Sequence, residues 1–231
     1  METPRTSEPD AHFKGLGPKC FQLLRDLESN NCKEHWHAHR EEWNTHIDNP
    51  LQLLINELEP QIGPLRTFRQ NRDTRFSPDK SPYKTWVDVV SDYKDSRGGA
   101  GTFLRISPQN VSVAQGCLAF SPEQLKYFRK AIDDDYAGNA FVKACDNLRK
   151  AGFPVGPGYL EPLKRGPRGY PTDHARSETL CWRGAAILKT YDVAPWLHTR
   201  ELLDTVVTVS GEGSPLFDWL KKFVLRPANT H

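Results

Sequence analysis

The sequence has no apolar run approaching the roughly 20 residues that a membrane-spanning helix requires. Its opening residues also lack the apolar stretch of a secretory signal. A soluble, cytoplasmic protein without membrane contact is therefore expected. Paired cysteines are missing too: Cys20, Cys32, Cys117, Cys145 and Cys181 are odd in number, scattered and never in Cys-x-x-Cys spacing. That pattern argues against a disulfide framework and against structural zinc. Nor does charge of one sign dominate. Lysine and arginine total 31 against 29 aspartates and glutamates, a formal net charge of +2. Such a balance creates no molecule-wide field for nucleic acid or anionic membranes, so any preference for anions must be local. The Gly-x-x-x-x-Gly-Lys phosphate loop, the Gly-x-Gly-x-x-Gly dinucleotide turn and the Gly-x-Ser-x-Gly nucleophile elbow are all absent. No cofactor is predicted.

What is present is ordinary globular material. Hydrophobic residues make up 37% and charged residues 26% of 231 positions, enough to bury a substantial core. Residues 1–12 carry almost nothing to bury after Met1 and read as a disordered tail, leaving 13–231 as one domain. Leu16, Cys20, Leu23, Leu24 and Leu27 recur at helical spacing after Gly17-Pro18. Asn31 with Glu34 looks like a capping box for a second helix carrying Trp36, Arg40 and Trp43. Asn49-Pro50 restarts a third, which Pro60 should stop. From Leu65 the character changes. Trp86–Val90, Thr102–Ile106 and Val111–Ala114 are short, β-branched and separated by turns, with Gly98, Gly99 and Gly101 read as hairpin residues. Turns that short make antiparallel neighbours. Helices return at Ser121-Pro122 and over 139–150, a long loop follows from Phe153 to Tyr170, 182–191 leans to strand, and 201–207 and 215–224 read as helix. The expected fold is α+β, with N-terminal and C-terminal helices packed on a central antiparallel sheet.

Two segments concentrate chemistry. The first runs Arg72-Asp73-Thr74-Arg75-Phe76-Ser77-Pro78-Asp79-Lys80-Ser81-Pro82-Tyr83-Lys84. An opening strand would put Arg72 and Thr74 on one face and Asp73 and Arg75 on the other, before the prolines force an irregular loop. The second runs Leu163-Lys164-Arg165-Gly166-Pro167-Arg168-Gly169-Tyr170-Pro171-Thr172-Asp173-His174. Guanidinium groups grip carboxylate or phosphate in pairs of hydrogen bonds, and lysines add positive charge. Arg72, Arg75, Lys80, Lys84, Lys164, Arg165 and Arg168 are therefore the candidate anion-binding residues. Asp73, Tyr83, Asp173 and His174 are the candidate acid or base groups for a hydrolase or transferase.

These two segments resemble the signatures of DUF2461, a bacterial and fungal domain of unknown function. Asn30-Asn31, Trp36 and Arg40 are also similar to the family's opening helices. The chain departs from the family pattern at Ala175, where proline usually follows the Asp-His pair, and at Gln115-Gly116-Cys117, where glycine is usually richer. The resemblance implies an α+β fold and a soluble protein; it implies no activity, cofactor or catalytic residue.

Three readings stay open. Both basic segments could face one cleft and bind an anionic small molecule. They could instead form a non-catalytic module for nucleic acid, which the net charge disfavours, or for a phosphorylated partner. Or they could be internal ion pairs that pin loops. His35 and His39 share a helix face while His37 points elsewhere, so no metal site is predicted. The oligomeric state is not legible.

Overall fold

The computed structural model describes residues 12–75, 77–91 and 100–225. Residues 1–11 of the expected tail, Phe76 and the expected Gly98-Gly99 turn lie outside the described residues.

The first helix, α1 (Pro18–Ser29), carries Pro18 in its first turn and buries the predicted stripe of Cys20, Leu23, Leu24 and Leu27. Helix α2 (Lys33–Ala38) is capped differently from the expectation. Cys32 is its N-cap, with Sγ accepting the His35 N–H at 3.4 Å. Asn31 is engaged elsewhere: its Nδ2 donates to the Tyr83 carbonyl at 2.9 Å and its Oδ1 accepts the Tyr83 N–H at 3.1 Å. Then α3 (Arg40–Trp43), a π-helical turn (Asn44–Asp48) and α4 (Asn49–Ile62) follow without an intervening loop. Helix α4 begins at Asn49 with Pro50 in its first turn, as expected, though the π-helical turn joins it to α3 without a break, and Pro60 lies inside its last turn rather than ending it. Gly63, at φ 87°, turns the chain out instead.

Six strands form one antiparallel sheet: β1 (Leu65–Thr67), β2 (Val87–Ser91), β3 (Ala100–Ile106), β4 (Asn110–Cys117), β5 (Val155–Gly156) and β6 (Ala185–Asp192). Their spatial order is β1-β2-β3-β4-β6-β5. The expected meander is β2-β3-β4, and the lean toward strand at 182–191 is met by β6. Gly101 is not a turn residue. It lies inside β3 at φ 108°, where a Cβ would sit 2.5 Å from the Cβ of Ser91 on the neighbouring strand. Crowding between strands, rather than a hairpin, calls for glycine there.

The remaining helices are α5 (Pro122–Asp133), α6 (Asp135–Lys150), α7 (Ser177–Leu180), α8 (Glu201–Glu212) and α9 (Ser214–Phe223), with a 3-10 turn at Pro195–His198. Ser121 and Gln124 complete a capping box at the start of α5, as the Ser-Pro signal suggests. The architecture is thus α+β, with helices beside an antiparallel sheet.

Strand alternation splits the sheet into unlike faces. Leu104, Ile106, Val113 and Ile187 join one large cluster with Leu54, Phe128, Phe141, Leu203 and Leu220 from the helices. The opposite face gathers only Val90, Phe103, Ala114, Leu118 and Ala186, with Phe68 and Leu188 packed against them. No helical residue belongs to this second cluster among the described residues.

Sheet and helices are tied by a buried polar link. Thr102 Oγ1 donates to Gln115 Oε1 at 2.8 Å and lies 2.8 Å from Ser210 Oγ on α8. Replacing Thr102 with Val keeps the shape but strands two buried polar partners. A loss of about 1–3 kcal/mol is expected in urea unfolding.

Candidate functional site

The first basic segment is a hairpin that prolongs β1 and β2 beyond the sheet. Lys84 N–H donates to Gln70 O at 2.8 Å and Arg72 N–H to Pro82 O at 2.9 Å. Beyond Arg72 the ladder stops, so the expected strand through Arg75 does not form; the tip is held by its own side chains instead. Arg75 binds Asp73 through Nε at 2.9 Å and Nη2 at 2.7 Å, Arg72 pairs with Asp79, and Lys80 Nζ donates to Thr74 O at 3.0 Å. The Arg75 bonds hold the Asp73 carboxyl below its ordinary pKa. Hydrogen bonds from Ser81 and Arg72 push Asp79 well below its own. Tyr83 is buried with its ring stacked on Trp36 at 4.6 Å. Lys84 turns away from the tip and lies over the Phe68 ring at 4.9 Å.

The second segment is placed by other contacts. Leu163 N–H donates to Cys181 O at 2.9 Å. Lys164, Arg165 and Arg168 are exposed and form no ion pair among the described residues. Asp173 is exposed, whereas His174 is drawn inward: its Nδ1 accepts the Arg176 N–H at 2.9 Å and its Nε2 lies 3.3 Å from Asp133 Oδ1. Arg176 itself fixes this stretch to the α5–α6 junction, donating to Ile132 O at 2.6 Å and Asn139 Oδ1 at 2.9 Å. These are the contacts of a helix-anchoring turn.

The two segments attach at opposite ends of the strands. The hairpin joins β2 at Val87, which faces Ile106 at the end of β3. The second segment leads into β6 at Ala185, which faces Cys117, itself opposite Ala100 at the start of β3. Seven residues of β3 separate those points, roughly 20 Å at strand rise. Arg72 and Lys84 lie at the first end or on the sheet; Lys164, Arg165 and Arg168 belong to the other segment.

A different constellation occupies the helix-free face. Asp88 and Arg105 are direct partners across β2 and β3. Arg105 Nε donates to Asp88 Oδ1 at 2.7 Å and Nη2 to Oδ2 at 3.0 Å, while Trp86 Nε1 donates to Oδ2 at 3.0 Å. Asp88 is buried and the Arg105 side chain keeps 31% of its surface exposed. The guanidinium also lies over three rings: Trp86 at 4.9 Å, Tyr159 at 5.2 Å and Phe103 at 5.4 Å. Burial disfavours its charge, and the bonds and charge of Asp88 more than offset that, so its pKa stands above the arginine norm. Two of the five guanidinium N–H groups are thereby used. The others make no hydrogen bond among the described residues, and Arg105 lines a hollow of about 450 Å³ whose walls also include Trp86, Ser112, Tyr159 and Thr190. A smaller hollow of about 270 Å³, with Arg72 and Tyr83 in its wall, shares Glu28, Thr85 and Trp86 with the first.

Tyr159 reaches this face because Gly158 lets the chain turn over the end of β4. Gly158 has φ 79°, and a Cβ there would meet the Leu118 carbonyl oxygen at 2.2 Å. The Tyr159 N–H then donates to that same carbonyl at 2.9 Å. Burial raises the Tyr159 hydroxyl to about 12, so at neutral pH it is protonated and can donate. Lys84, at the other margin, is shifted the opposite way: burial lowers its pKa and nearby Arg105 adds to that, against the pull of Asp88.

A family model for a conserved hypothetical protein (DUF2461) matches residues 19–219, which contain both basic segments, the Asp88–Arg105 pair and Tyr159. The chain belongs to this DUF2461 family. No curated protein matches it.

The DUF2461 signature residues thus divide by role: Asp73, Arg75 and Lys80 hold the hairpin tip, Arg72 borders the smaller hollow, and Lys84 lies over Phe68. Sequence reasoning missed Trp86, Asp88, Arg105 and Tyr159. A larger hollow of about 520 Å³ lies beside β1, with Trp36, Arg40, Trp43 and Asp48 in its wall. There Arg40 already lies over Trp36 at 5.1 Å and pairs with Asp48 at 3.2 Å, so that cation faces a ring and a carboxylate of its own.

Replacing Asp88 with Asn keeps the volume and removes the counter-charge of Arg105. A loss of about 1–3 kcal/mol is expected by denaturant titration, part of it recovered in the double variant Asp88→Asn, Arg105→Gln because the half-buried cation is gone.

Proposed function

We propose that this protein binds a phosphate- or carboxylate-bearing ligand in the hollow above Arg105. The carrying observation is the guanidinium itself: Asp88 grips one edge, three rings surround it, and further N–H groups are left for a partner. A pre-oriented arginine loses little freedom on binding an oxyanion, and its fork matches two oxygens of carboxylate or phosphate. Ser112 and Thr190, whose hydroxyls lie 2.9 Å apart on the wall, offer further polar contacts. Lys84 and Arg72 supply flanking charge.

Binding fits the site better than catalysis. Asp73 is committed to Arg75, Tyr83 is stacked and buried, and His174 is engaged with Arg176 and Asp133. Tyr159 holds its proton too tightly for a base at neutral pH. A second reading draws on Lys164, Arg165 and Arg168, exposed cations without a carboxylate partner among the described residues: that loop would recognise a phosphorylated partner or nucleic acid, and the Arg105 hollow would then be inert.

Calorimetric titration with inorganic phosphate, pyrophosphate and citrate separates the two. Under the leading reading at least one binds, Arg105→Gln weakens it about tenfold or more, and Arg165→Ala with Arg168→Ala leaves it unchanged. If Arg105→Gln has no effect and the loop variants abolish binding, the second reading holds.

The pH dependence has a defined sign. Lys84 attracts an anion only while protonated, and its lowered pKa means that charge is lost as pH rises through a value below the ordinary 10.5. Affinity should therefore fall on the alkaline side at lower pH than a solvent-exposed lysine would give. Lys84→Arg should flatten that fall, because arginine stays charged.

A further inference from the structure

We infer that the ligand of the Arg105 hollow is a nucleotide unit, with its phosphate on Arg105 and its base on the ring of Tyr159. This rests on the anion-binding reading and narrows it. A hollow of about 450 Å³ is far larger than a phosphate or carboxylate group alone needs, and lies within the range that small-molecule ligands fill. What lines the rest of it is selective. Tyr159 is half-buried: packing covers enough of it to raise its hydroxyl, yet 43% of its surface stays exposed. Its ring is steadied by an edge-to-face contact with Phe103 at 5.4 Å and by Arg105, and it borders the hollow instead of closing it. An exposed, immobilised ring beside a phosphate-binding cation is the pairing by which proteins hold a base and its phosphate together. A simple carboxylate or sugar phosphate would leave that ring without a stacking partner.

The polar wall agrees with this. The turn between β3 and β4 brings Gln109 and Asn110 to the hollow; the Asn110 Oδ1 already accepts from Ser107 Oγ at 3.1 Å, which leaves its amide N–H groups as donors. Gln109 Nε2 donates to Glu28 at 2.9 Å, which leaves its carbonyl oxygen as an acceptor. The Ser112 and Thr190 hydroxyls suit a sugar. Charge complementarity extends beyond the hollow: from Arg66 to Asp88 there are six cations (Arg66, Arg69, Arg72, Arg75, Lys80, Lys84) against three carboxylates (Asp73, Asp79, Asp88). The same chemistry is presented by a free nucleotide and by one residue of a single strand.

The test is calorimetric titration of the full chain with ribose 5-phosphate, adenosine and uridine monophosphates, and a short single-stranded oligonucleotide. A monophosphate or the oligonucleotide should bind about tenfold more tightly than ribose 5-phosphate, the increment that base stacking supplies. Tyr159→Leu should weaken the base-bearing compounds more than ribose 5-phosphate, so that the increment is lost, Tyr159→Phe should retain it, and Arg105→Gln should weaken every phosphate compound. Melting of each variant without ligand confirms that it is folded. An oligonucleotide that outcompetes both monophosphates assigns the strand as the source, and the reverse assigns the free nucleotide. If ribose 5-phosphate binds as tightly as every base-bearing compound, or Tyr159→Leu leaves their advantage intact, the nucleotide inference fails while anion binding stands. If no phosphate compound binds and citrate does, the ligand is a carboxylate and the inference fails; if neither class binds, both readings fail.

Discussion

The register between β2 and β3 decides what this molecule can present. Because Asp88 falls opposite Arg105, a carboxylate and a guanidinium meet one residue in from the end of a mostly apolar pair of strands and neutralise each other's burial. Strand alternation then puts both on the face that the helices leave alone. A slip of either strand by one residue would drive its charge into the large core cluster, where Leu104, Ile106 and Val89 now lie, and leave the other without its partner. The pair therefore adds to the hydrophobic pattern in fixing the register of β2 against β3. It also leaves part of a guanidinium turned outward.

Around that pair the aromatic residues act as a frame. Trp86 donates to Asp88 from the start of β2, Phe103 lies beside Arg105 on β3, and Tyr159 arrives from the long loop over the end of β4. Rings over a guanidinium favour its charged state and restrict its rotation. The hairpin 70–84 adds charge at the margin, and its strongest internal pairs, Arg75 with Asp73 and Arg72 with Asp79, shape the tip. The densest cationic motif in the sequence thus does much of its work in building a loop.

Much of the fold was legible. The stripe of Cys20, Leu23, Leu24 and Leu27, the Ser121-Pro122 start and the β2-β3-β4 meander follow from periodicity and turn chemistry acting locally. The misreadings have long-range causes. Asn31 looked like a cap because its side chain suits one, but a contact 52 residues away claims it. Gly101 looked like a turn, and crowding from Ser91 is invisible before strands are paired. The proposed site was missed, although Asp88 and Arg105 left a signal: each interrupts an apolar stretch of strand, and a buried charge in such a run asks for a partner of opposite sign. Tyr159 carried no such signal. Its role depends on Gly158 folding the loop against Leu118, a contact that only the assembled sheet creates. The basic loop at Lys164, Arg165 and Arg168 stood out by composition, and composition does not say which end of a strand a loop will serve.

The two hydrogen bonds from the Asn31 side chain to the Tyr83 backbone tie distant parts of the chain into one mechanical unit. The hairpin carries few cross-strand bonds of its own, so it gains much of its hold from a residue at the α1–α2 junction and from the Trp36 ring stacked behind it. A disturbance of the helical layer at Asn31 or Trp36 is therefore passed directly to the signature segment, whose position depends on side chains some fifty residues earlier in the chain.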